Sequence, residues 1–228
     1  MEEQLKIDFE QILKISDFSK KDIEFKKNHL NKFIENGFPS KKQESWKFLD
    51  LNQIIQKNIG KLSFYNDYSI TNKVDTSIFI DGLEHNKIIF VNGRLEKIDF
   101  INEDKNQIEI YDDNVVVDKF DDNNSLIDLN NAFRDKYYKI LVKKGYITKK
   151  PLIIYHLTNE KMESKNINLR LDFELEQNSS LKVIDFFSDT ADKNFMNILY
   201  NFELKKNSVL KNYKIDKSLN KNLKYSYN

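Results

Sequence analysis

Asp172–Phe186 reads DFELEQNSSLKVIDF, and Asn201–Ile215 reads NFELKKNSVLKNYKI. Phe173/Phe202, Glu174/Glu203, Leu175/Leu204, Asn178/Asn207, Ser179/Ser208, Leu181/Leu210 and Lys182/Lys211 coincide at a spacing of 29. Each copy holds two runs of alternating apolar and polar residues joined by a polar Asn-Ser corner. A fixed period with that content is the sequence form of a β-solenoid, whose coils stack and bury one face of every strand. Stacking at this period sets Phe173 over Phe202 and Leu181 over Leu210 in one interior. A charge placed at Phe202 is therefore expected to unfold the β region.

Outward from the repeat, strands are expected at Ile140–Val142, Leu152–Leu157, Leu169–Leu175, Leu181–Phe187, Met196–Leu204, Val209–Ile215 and, weakly, Leu223–Tyr227. Upstream, Ile88–Val91 runs into Asn92-Gly93, two residues that tolerate the positive φ of a type I′ hairpin turn, and Leu95–Phe100 returns. Ile108–Tyr111 and Val115–Val117 read as further short strands. Ser125 with Asp128 predicts a capped helix over Leu126–Tyr138, with a narrow apolar stripe of Leu126, Leu129, Ala132 and Phe133.

The first residues are helical in pattern. One helix is expected over Glu3–Leu13. A second starts at a Ser19/Asp22 capping box, carries Ile23, Leu30, Phe33 and Ile34, and stops at Gly37 and Pro39. A third runs through Leu51, Ile54 and Ile55, and Trp46, the only tryptophan, lies in the link before it. The expected class is α+β, mainly β. A helical domain spans 1–60, mixed strands with a hairpin and one helix span 61–138, and solenoid coils span 139–228. Those coils are read as an incomplete set ending without a cap, so that either a partner's surface or a capping piece not in this sequence is expected to cover the open end.

Composition narrows the function. The 37 basic residues face 36 acidic ones, a net charge of +1, so no field of one sign draws in nucleic acid or an anionic membrane. There are no cysteines, hence no disulfide, thiolate nucleophile or cysteine-held cluster within this chain. The start, MEEQLKIDFEQ, lacks a basic n-region and an apolar core, and no apolar run approaches the roughly 20 residues of a membrane span. A cytoplasmic protein is expected.

The candidate chemical residues have plain readings. His29, His85 and His156 show no metal-ligand spacing and are expected on the surface or in packing. Asp112, Asp113, Asp118, Asp121 and Asp122 lack the order of a calcium loop and read as turn formers. Asn178-Ser179 and Asn207-Ser208 read as corners whose side chains bond backbone groups, and Trp46 as a plug of the helical unit. No serine-hydrolase, P-loop or dinucleotide motif occurs. No catalytic, cofactor-binding or metal-binding residue is assigned, and the chain is not expected to be an enzyme.

Several motifs resemble a known family. Asn36-Gly37-Phe38-Pro39-Ser40-Lys41-Lys42-Gln43-Glu44-Ser45-Trp46-Lys47-Phe48 is similar to the Gly-Phe-Pro…Trp-Lys motif of SufD, a scaffold subunit of SUF iron–sulfur cluster assembly. Phe90-Val91-Asn92-Gly93 resembles that family's hairpin. Leu129-Asn130-Asn131-Ala132-Phe133 resembles its helix, and Lys150-Pro151-Leu152-Ile153-Ile154 its strand leading into the coils. Asp185 stands where the family usually has Glu.

The resemblance implies a helical N-terminal domain, a right-handed parallel β-helix, and a non-catalytic scaffold that pairs with SufB-like and SufC-like proteins. It implies no cofactor bound by this chain alone, with an iron–sulfur cluster assembling on the complex. The SufC-binding segment of the family lies beyond the residues matched here. Two other readings stand beside this one. The first is a β-helix enzyme acting on carbohydrate, using charges such as Arg170, Asp172 and Glu174. The second is a passive solenoid that binds by edge pairing.

Overall fold

The computed structural model describes residues 2–15, 17–65, 76–102, 104–113, 124–217 and 221–227. A small helical region leads into a β-solenoid of about three turns. Its walls are two five-stranded sheets. One has the order β2(Arg94–Asp99), β1(Asn86–Val91), β5(Leu152–Thr158), β7(Ser180–Asp189), β9(Val209–Asp216). The other has β10(Leu223–Tyr227), β8(Phe195–Leu204), β6(Asn166–Leu175), β4(Tyr137–Val142), β3(Ile108–Asp113). The chain alternates between walls, so neighbours from β4 onward are parallel.

The 29-residue period is the register of the stack. Phe173 pairs with Phe202 and Leu175 with Leu204 across β6 and β8, while Leu181 pairs with Leu210 across β7 and β9. The corners follow the same period. Asn178 and Asn207 take φ of 60° and 58°, a left-handed conformation Asn tolerates. Asn207 Nδ2 donates to Asn178 Oδ1 at 3.0 Å, and the hydroxyls of Ser179 and Ser208 donate to the carbonyls of Glu176 and Lys205. The two Asn-Ser corners thus form a ladder.

The first coils close on an apolar lumen. Ile88, Phe90, Ile140, Ile154, Leu171, Phe173, Val183 and Ile198 are all buried there. The β1–β2 hairpin turns at Asn92-Gly93 with φ of 55° and 84°. A Cβ at Gly93 would come within 2.7 Å of Ile167 Cγ2, so glycine serves both backbone and packing here.

Three helices precede the coils: α1(Glu2–Ile15), α2(Lys20–Asn36) and α3(Leu51–Asn58). The Ser19/Asp22 capping box forms, and Gly37 ends α2 at φ 66°. Leu5, Phe9, Ile12, Leu30, Phe33 and Ile55 make one apolar cluster with Leu126, Leu129, Phe133 and Phe195. The cluster thus joins the first three helices to α4(Ser125–Phe133) and to β8.

α4 departs from the expected helix at both ends. Asn124, not Ser125, is its N-cap, accepting the Leu126 N–H at 3.0 Å. Asp128 is engaged instead by His29 Nδ1 at 2.6 Å. The helix stops at Phe133 rather than Tyr138 because Arg134 is extended and Tyr137–Val142 is taken as a strand by β3 and β6. All nine of its residues are buried, not one stripe. Asn130 is accommodated because its Nδ2 donates to the carbonyls of Leu169 and Asn197. Asn197 Nδ2 donates to Leu126 O in return. Val115–Val117 lies outside the described residues.

Candidate functional site

β9 and β10 are terminal strands of the two sheets, each with one unpaired edge among the described residues. Val209, Tyr213 and Ile215 of β9 are exposed apolar side chains, as is Leu204 at the end of β8. Unpaired backbone beside apolar side chains is a surface on which a further strand adds.

The lumen changes character here. Register places Asn212, Lys214 and Asp216 of β9 over Val183, Asp185 and Phe187 of β7. Lys224 and Ser226 of β10 lie over Met196 and Ile198. Lys214 Nζ donates to Ser226 Oγ at 2.7 Å and lies 5.0 Å from the centre of the Tyr200 ring. Lys224 Nζ donates to Asp189 Oδ2 at 3.0 Å and Asp216 Oδ1 at 3.3 Å. Burial pulls the Lys214 ammonium below its ordinary pKa, against the opposing charge of Asp185.

One coil down, Asp185 is fully enclosed. Its Oδ1 accepts from His156 Nε2 and from the Tyr200 hydroxyl, each at 2.9 Å. Burial, and then Asp185, raise the Tyr200 hydroxyl well above its ordinary pKa. The His156 ring stacks between Phe90 and Phe187, at centroid distances of 5.8 and 4.6 Å. With His156 at 1% and Asp185 and Tyr200 at 0% exposure, this set cannot meet a substrate; it ties three coils together.

The other two histidines are also buried. His85 Nδ1 donates to Leu83 O at 2.5 Å, which leaves Nε2 to accept from the Tyr155 hydroxyl at 2.8 Å. Burial lowers the His85 pKa. The three imidazoles lie in separate environments, and among the described residues no three acidic or imidazole side chains cluster as a metal site. Asp112 is ion-paired with Lys136, Asp113 ends β3, and Asp118, Asp121 and Asp122 lie outside the described residues. Trp46 is partly buried on the helical cluster and reaches the Tyr225 ring of β10 at 5.8 Å.

The charges named for a carbohydrate enzyme are engaged within the chain. Arg170 Nε and Nη2 donate to Asp172 at 2.9 and 3.2 Å, and Glu174 pairs with Lys139 at 2.6 Å. The polar lumen of Lys214, Asp216 and Lys224 escaped the sequence reading. Its signal is Asn212, Lys214 and Asp216 at alternate positions where the preceding coil has Val183, Asp185 and Phe187.

No family model and no curated protein matches the chain. Among the described residues no helix is long and apolar enough to cross a membrane.

Proposed function

We propose that this chain is a non-catalytic scaffold component of SUF-type iron–sulfur cluster assembly, acting in the cytoplasm and pairing with SufB-like and SufC-like proteins. The observation that carries the reading is the order of four motifs along the chain, each at a defined place in the fold. In the first, Gly37 ends α2 and Trp46 reaches β10; Asn92-Gly93 turns the first hairpin, Leu129–Phe133 closes α4, and Pro151 precedes β5. The unpaired edges of β9 and β10 supply a surface for a SufB-like solenoid. The cluster is cargo of the complex, assembled with thiols that other subunits provide, since this chain has no cysteine.

An anaerobic pull-down from native cells through an N-terminal tag, with mass spectrometry of retained proteins and of the bait, tests this. Co-purification of a SufB-like and a SufC-like protein is expected. Their absence from a folded bait overturns the assignment and favours a passive solenoid, a reading that the same unpaired edges support.

A further inference from the structure

A cavity of about 320 Å³ opens between the start of α1, the exposed side of α3 and the segment that follows it. Its floor is Phe38, Ile55, Leu62 and Phe64, all members of the buried helical cluster. The wall is held in place by Asp8. Its Oδ2 accepts the Phe64 N–H at 2.7 Å, and its Oδ1 accepts from Gln4 Nε2 at 2.7 Å, which fixes the Gln4 amide at the mouth. The floor is thus apolar and anchored, and it is not the surface by which the coils stack.

The rim decides the ligand. Asn52 and Gln56 carry neutral amides, and among the described residues Lys61 is the only charged one lining the cavity. Lys61 is exposed and has no ion pair among the described residues. An apolar floor, amides that donate and accept, and an exposed lysine in the lining match a small molecule with an apolar body and one anionic head. We infer that this cavity is a binding site for a small organic acid, an aliphatic or aromatic carboxylate. Its apolar end would lie on Phe38, Ile55 and Phe64, and its carboxylate would meet Lys61. The site is independent of the proposed place in cluster assembly.

Titrating the full chain with octanoate, octanol and octylamine, followed by NMR, tests the inference. Saturable binding is expected, with octanoate preferred over octanol by about five-fold, the worth of one exposed ion pair. Octylamine should bind weakest. Lys61→Gln should erase the acid-over-alcohol preference and leave octanol binding unchanged. Gln56→Trp, a change at the exposed rim that spares the core, should block all three ligands. Three results each overturn the inference: no saturable binding to the folded chain, equal binding of octanoate and octylamine, or a Lys61→Gln protein that keeps its preference. Tighter binding of a peptide ending in leucine than of octanoate would reassign the cavity to a partner's chain end.

Discussion

The first coils and the last are written in the same period but filled differently. Phe173 is 1% exposed between neighbouring strands of its sheet, while Phe202, its partner one coil later, is only partly buried. Beneath, Ile154 and Val183 line the lumen; above, Lys214, Asp216, Lys224 and Ser226 take corresponding places. A repeat therefore fixes which residues are neighbours, but burial depends on whether another strand covers them. Among the described residues the lower coils are closed and β9 and β10 are only partly covered.

The largest expected effect tests that division directly. Phe173→Asp places an unpaired charge in the closed lumen, a cost of several kcal/mol against a total stability on the order of 10, and should unfold the β region. Phe202→Asp should cost only about 1–2 kcal/mol, because water reaches the new carboxylate. This revises the expectation from sequence alone, which gave Phe202 the weight that belongs to Phe173. Urea unfolding of both variants decides it, and equal losses would mean the last coil is as closed as those beneath.

His156→Ala comes next. It removes a ring from the Phe90–His156–Phe187 stack and leaves Asp185 with the Tyr200 hydroxyl as its remaining side-chain donor among the described residues, a loss of about 3–5 kcal/mol for a broken buried pair. A midpoint close to the parent's would show that Asp185 is not held as described. Glycine substitutions give a smaller contrast. Gly93 and Gly145 both have positive φ, so alanine at either should cost about 1 kcal/mol of strain. Only Gly93→Ala also meets Ile167, so its loss should be the larger by roughly 1 kcal/mol or more. Equal melting temperatures for the two variants would count against close packing under the first turn.

The sequence carried the coil register well because Phe, Leu and Asn recur at a rigid interval, and the α2 cap because its two partners are three residues apart. It carried the ends of α4 poorly. Whether residues 134–138 continue a helix or join a strand is decided by β3 and β6, which lie elsewhere in the chain. The narrow apolar stripe expected for α4 left out Asn130, which is buried because the carbonyls of Leu169 and Asn197 accept its amide. The roles of the three histidines were equally hidden, since Asp128, Tyr155 and Asp185 are each remote in sequence from the ring they meet. The polar lumen was legible in principle, as a break in alternation at Asn212, Lys214 and Asp216.

Lys214 gives the smallest expected effect and the sharpest view of the boundary. If the last coil is open, the ammonium gains little from the fold, and Lys214→Met should shift the melting temperature by no more than about 2 °C. The pH dependence has a definite sign. Burial lowers the folded-state pKa of Lys214 below its ordinary 10.5, so in the window between the two values the unfolded chain holds more protons. Lys214 therefore makes stability rise with pH across that window, and Lys214→Met should flatten the rise. A variant whose stability climbs as steeply as the parent's would mean that Lys214 is as hydrated in the fold as in the unfolded chain. A loss as large as that of His156→Ala would place Lys214 within the closed core and remove the distinction between the coils.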